Sequence, residues 1–189
     1  MRAPLGILIV STLATGCSNA KPVANLEFAE ITKVPRAYEI EFSSDLNFDT
    51  LFAPGAEEKI VARRLICALD DDPDFSVKHT LKRYFRGKFA AVPAPPAGPP
   101  GQFHYSVKSD FYQTDDEDRS RQHITNEALI KILTGKAAVP CRVVLTVYVK
   151  QPYYSAAMRV PVQGILKQIP TGRHRPILRR TYQEQLDKP

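Results

Sequence analysis

The chain has 189 residues, 43% of them apolar and 24% charged, a balance ordinary for a globular domain built on one core. Its 26 Lys and Arg against 20 Asp and Glu give a formal charge of +6, which suits a mild attraction to anionic headgroups or an acidic partner and gives no reason to expect nucleic-acid binding. After residue 17 no apolar stretch approaches the roughly 20 residues a helix needs to cross a bilayer, so no later span is expected.

In chain order, Met1 and Arg2 precede an apolar run over residues 5–14, which leads into Ala14-Thr15-Gly16-Cys17. One positive charge, a short apolar centre and small residues before a cysteine read as an export signal over residues 1–16. This ending resembles the lipobox of bacterial lipoproteins. Gly16 supplies the small side chain before the cysteine, Thr15 is acceptable there, and Ala14 stands where that family usually has Leu, which lies one place early at Leu13. The resemblance implies that Cys17 becomes the first mature residue and carries acyl chains such as palmitate. At about 0.8 kcal/mol per buried methylene, more than one chain holds the protein stably on a membrane. It implies a bacterial envelope address, and Ser18 is similar to the enterobacterial sorting pattern for the outer membrane facing the periplasm. Setting Cys17 aside leaves Cys67 and Cys141, an even pair in an oxidising compartment, and a disulfide between them is expected, with two separate buried thiols as the alternative.

Residues 17–35 read as a lipidated tether and residues 36–170 as the globular domain. Tyr38, Ile40 and Phe42 alternate with Glu39 and Glu41, which predicts a strand. Over residues 56–69 the spacing of Val61, Leu65, Ala68 and Leu69, with Glu57 and Glu58 in the first turn, predicts a helix flanked by Cys67. Residues 75–89 fit both periods. A strand is preferred, because Phe103, Tyr105, Val107 and Phe111 offer an alternating partner beyond the stiff, projecting Pro-rich loop at 93–101. Residues 126–134 are predicted as a helix with Ala128, Leu129, Ile132 and Leu133 on one face and Gly135 at its end. The clearest strand is 142–149, with Val143, Leu145, Val147 and Val149 on one face and Val144 and Tyr148 on the other, covered on both sides and central. Met158, Val160 and Val162 form an edge strand, demoted by Pro161. A basic tail, 171–189, carries Arg173, His174, Arg175, Arg179 and Arg180. The sum is an α+β single-domain sandwich, a mostly antiparallel sheet with two helices on one face, and a loose repeat of a strand-helix-strand-strand unit.

His79 and His104 would face each other across the hairpin, without a third ligand to complete a metal site. Residues 70–74 and 115–118 are acidic but lack calcium-loop spacing and read as solvated turns. No nucleophile elbow, Ser-x-x-Lys pair or phosphate loop occurs, so no catalytic residue, metal or cofactor is expected. Two surfaces qualify for binding: Phe103 and Tyr105, beside Tyr84, Phe85 and the Pro-rich loop, and the turn through Tyr153 and Tyr154. Tyrosine gives large contact area at low entropic cost, though such rings also serve as core. The expected function is a non-catalytic envelope lipoprotein with a membrane anchor and a protein partner. By analogy of architecture it is similar to periplasmic immunity or inhibitor lipoproteins, or to an accessory subunit of an envelope assembly. A lipid or cell-wall binding module and a small periplasmic hydrolase are the alternatives.

Overall fold

The computed structural model describes residues 21–52, 60–71, 73–76, 78–96, 101–115, 120–148 and 150–170. Cys17, Glu57, Glu58, Val149 and the basic tail lie outside them. The strands are β1 (Leu26–Val34), β2 (Ala37–Ser44), β3 (Ile60–Ala68), β4 (Arg83–Val92), β5 (Phe103–Ser109), β6 (Phe111–Thr114), β7 (Arg121–His123), β8 (Ala138–Val147), β9 (Tyr153–Tyr154) and β10 (Met158–Pro161), and the helices are α1 (Asn126–Leu133) and α2 (Val162–Gln168). All pairings are antiparallel, in the order β1-β2-β5-β4-β3-β8-β10, with β6 beside β4, β7 beside β6 and β9 beside β8.

The expected hairpin is present. β5 and β6 pair with β4 in one register, from Val92↔His104 through Phe89↔Val107 and Phe85↔Phe111 to Arg83↔Gln113. It starts at Arg83 rather than residue 75, because the Asp70 carboxylate accepts from the Lys82 and Arg83 N–H groups (3.0 and 3.2 Å) and fixes the start of β4 there. Midway, a Cβ on Gly87 would lie 2.5 Å from Val107 Cγ2 and 2.9 Å from the Lys108 carbonyl, so this close approach requires glycine.

Several expectations are corrected. Residues 60–68, expected as helix, are β3, held between β4 and β8. The four-residue steps Val61, Leu65, Leu69 are multiples of two as well as near-multiples of 3.6, and Ile60, Val61 and Ile66 are β-branched, which favours a strand flanked on both sides. Leu65 and Cys67 point inward, while Val61 is 62% exposed. The expected tether, 17–35, contains β1, whose apolar Leu26, Phe28 and Ile31 are thrown out of alternation by a bulge between Phe28 and Glu30. Among the described residues the second helix is α2, and residues 60–68 are strand. Val162, expected in the edge strand, opens α2, with Pro161 as its N-cap residue, where a missing N–H is harmless. β10 itself is the edge strand foreseen from Pro161. The described residues between β2 and β4 contain no helix, so the strand-helix-strand-strand repeat is not found.

β8 is buried along Val139, Cys141, Val143, Leu145 and Val147 but only half-covered on its other face, and it lies next to the edge rather than at the centre. α1 matches its prediction. Thr125 Oγ1 accepts from the Ala128 N–H at 3.2 Å, and Gly135 takes φ +83° just beyond the helix.

The sheet curls until its outer strands approach one another. α2 packs on β1 and β10, the Lys33 N–H donates to Gln168 Oε1 (3.0 Å), and the Ala156 N–H donates to the Ala24 carbonyl (2.8 Å). The core fills this curl. Phe42, Phe48, Phe89 and Tyr105 form a mutually packed aromatic set, joined by Leu129 and Leu133 of α1 and Val162 and Ile165 of α2. Cys67 and Cys141, directly opposed on β3 and β8, are disulfide-bonded (S–S 2.04 Å) and buried in it. The registers Leu26↔Ser44↔Phe103, Val92↔His104 and Ile60↔Val147 place the starts of β1, β3 and β5 and the ends of β2, β4 and β8 at one end of the domain, the end at which the chain enters.

Candidate binding groove

Alternation builds the site. Because Leu65 and Cys67, Phe85 and Phe89, and Cys141, Val143 and Leu145 point into the core, the intervening residues of β3, β4 and β8 face outward. Register sets Arg86, Ile66 and Arg142 in one row across three strands, with Lys88, Arg64 and Val144 in the next. Residues 73–76 and 78–81 lie across this face and border two adjoining open cavities of about 260 and 310 Å³. Ile66, Val144, Phe75 and Leu81 give apolar walls; Tyr84, Tyr154, Ser76, Thr80 and His79 give polar ones.

The groove is cationic. Arg64 and Arg86 are exposed and Arg142 is half-buried beneath Phe75, its guanidinium 5.6 Å from the ring centre. The Arg86 guanidinium lies 4.8 Å from the Tyr84 ring centre, and its Nη2 reaches the Tyr84 hydroxyl at 3.5 Å. Among the described residues none of the three pairs with a carboxylate, and the buried Arg142 Nε has no hydrogen-bond partner. Asp74, the carboxylate among the described lining residues, is engaged locally. It accepts from the Ser76 N–H (2.7 Å) and hydroxyl (3.0 Å), and these bonds hold its pKa below the ordinary aspartate value.

Of the aromatic residues expected to form a binding surface, Tyr154 lines this groove and Phe103 is 38% exposed at the entry end, beside Asn47, Ala91 and His104, on a different part of the domain. The other two are core. Tyr105 is buried, and its hydroxyl accepts from the Phe48 N–H at 2.9 Å. Tyr153 is buried too, and its hydroxyl accepts from the Ala24 N–H at 2.7 Å and donates to the Pro22 carbonyl at 2.9 Å. Burial raises both phenol pKa values above that of a free tyrosine. Tyr84 and Phe85 are buried as well.

His79 and His104 do not meet. His104 sits between Val92 and Ser43, whereas His79 is in the segment that covers the groove. The acidic turns do structural work: Asp70 holds the Arg83 backbone and guanidinium, Asp71 pairs with Lys136, and Asp115 accepts from the Ser120 N–H and hydroxyl. Asp110 lies 3.0 Å from His123 Nδ1, but the nearby Ser109 hydroxyl donates to the Arg86 carbonyl instead. Sequence reasoning missed Arg64, Arg86 and Arg142. Their signal is a cation directly beside an inward apolar position in three separate segments, Arg64 beside Leu65, Arg86 beside Phe85 and Arg142 beside Val143, and it was hidden because residues 56–69 read as a helix. No family model, curated protein or solved structure matches the chain, so function has to be reasoned from these residues.

Proposed function

We propose that this is a non-catalytic lipoprotein of the bacterial envelope, anchored through Cys17 and facing the periplasm, whose single α+β domain carries both helices on one side of its curled sheet and binds another protein. The partner presents an acidic segment to the groove formed by Arg64, Arg86 and Arg142. The observation that carries this is a set of three guanidinium groups on neighbouring strands that have no carboxylate partner among the described residues, one with a buried and unbonded Nε. A half-buried cation that lacks a counter-ion leaves desolvation uncompensated, and a carboxylate offers the bidentate acceptor geometry that Arg favours. Three adjacent strands hold the groups in place before binding, and Arg with Tyr at the centre of a groove is the composition of an interface hot spot. An immunity or inhibitor protein and an accessory subunit of an envelope assembly are both binders of this kind.

The test is capture from detergent-solubilised envelope by the lipidated wild type and by an Arg86→Glu/Arg142→Glu variant of equal melting temperature. One stoichiometric protein, held by the wild type, released by salt and lost by the variant, is the expected result. Equal capture by both, or lipid or glycan in place of protein, would refute it.

A further inference from the structure

We infer that the end of the domain at which the chain enters rests on the membrane surface, with Val23, Val61, Phe103 and Tyr148 in contact with the lipid interface, a placement that builds on the Cys17 anchor proposed above. Two independent observations meet there. The first is the length of the leash. Ala24 is fixed in the fold, its N–H bonded to the Tyr153 hydroxyl and its carbonyl to the Ala156 N–H. Only the residues numbered 18–23 separate it from Cys17. Fully stretched, the seven steps from Cys17 to Ala24 reach about 25 Å. A domain of this size is roughly 40 Å across, so the entry end cannot leave the vicinity of the headgroups.

The second observation is what that end displays. Among the described residues the exposed large apolar side chains are Val23, Val61, Phe103, Ile130 and Tyr148. Register puts four of them on the entry end: Val23 beside Ala24, Val61 at the start of β3, Phe103 at the start of β5, and Tyr148 directly after β8. Single exposed apolar residues are ordinary, but four of the five among the described residues gather on one rim. Tyr and Phe settle at the boundary between headgroups and acyl chains, where a ring buries its apolar body and a hydroxyl stays wet. Among the described carboxylates at this end, Asp49 pairs with Arg63, while Asp45 accepts from the Asn25 N–H and side-chain amide (2.8 and 2.7 Å) and Glu27 from the Gln102 side-chain amide (3.0 Å), so the Asp49 charge is neutralised and the other two remain. Seated this way, the domain turns its arginine groove sideways, along the membrane and open to a partner.

The chain contains no tryptophan, so one introduced indole reports its own surroundings. Lipidated full-length Phe103→Trp, Tyr148→Trp and Ile130→Trp are reconstituted in phosphatidylethanolamine/phosphatidylglycerol vesicles with and without brominated acyl chains. All three are expected to float with the vesicles. Emission from Phe103→Trp and Tyr148→Trp should fall about two-fold with brominated lipid and shift to the blue, while Ile130→Trp on α1 stays unchanged. Floating protein with both rim positions unquenched, or with Ile130→Trp quenched equally, would overturn the seating and leave the anchor standing. Protein that fails to float would overturn both. Two rim positions keep the test decisive if one variant fails to fold.

Discussion

Gly87 admits no side chain. Its Cβ position is occupied from two directions, by the Val107 methyl and the Lys108 carbonyl, and the second is backbone that cannot swing away. Gly87→Ala is therefore expected to lower stability by about 1 to 3 kcal/mol, read as a fall in midpoint on thermal or urea unfolding. Tyr38, Tyr105 and Tyr153 make a second residue-scale prediction. Burial is the main cause that raises each phenol pKa above the ordinary value near 10. A group whose pKa is raised on folding gives its full contribution below the unfolded value and loses it as pH climbs through the folded value. Stability should thus hold up to about pH 10 and fall beyond it. Absorbance of tyrosinate should show these three ionising together with loss of the fold, and reversible ionisation of all eight tyrosines in a folded chain would contradict it. At this scale the sequence was uneven. Cysteine parity located the disulfide, whereas nothing in Tyr105 or Tyr153 reveals that each hydroxyl satisfies a buried N–H from a distant segment.

Among the elements, α1 was legible because its cues are local: a capping Thr125, apolar residues on one face and a glycine of positive φ. Removing the cap with Thr125→Ala should cost about 1 kcal/mol, seen as a lower melting temperature with the fold retained. β3 and β1 were not legible, for different reasons. In β3 the apolar spacing satisfies two periods at once, and the choice falls to its neighbours β4 and β8, which a window of sequence does not contain. In β1 a bulge shifts the inward face halfway along, so neither period fits. The missed groove follows directly, since the outward row on β3, β4 and β8 exists only once β3 is a strand. The disulfide ties two of these strands across 74 positions of chain. Reduction should lower stability by roughly 2 to 4 kcal/mol, measurable as a shift in denaturant midpoint between oxidised and reduced protein.

For the whole molecule, location is the property the sequence speaks to most directly and the fold least. Cys17→Ala is expected to abolish labelled fatty-acid incorporation and release the protein from the membrane fraction, and incorporation that persists in the variant would refute the anchor. The order of predicted elements anticipated a mostly antiparallel sheet, but not that it would curl until β1 and β10 come together around a shared core, because closure depends on α2 and on contacts between residues more than a hundred positions apart.

A domain anchored through Cys17, as proposed, would feel every tug of its mooring at one place. Here that place would be the stretch from Pro22 to Ala24, where the Tyr153 hydroxyl of β9 and the Ala156 amide between β9 and β10 clasp the chain before it enters β1. Tyr153 would then act as a mechanical pin: force on the chain would have to break the clasp before peeling β1 from β2, and Tyr153→Phe is expected to let the sheet unzip under smaller tension in a pulling measurement.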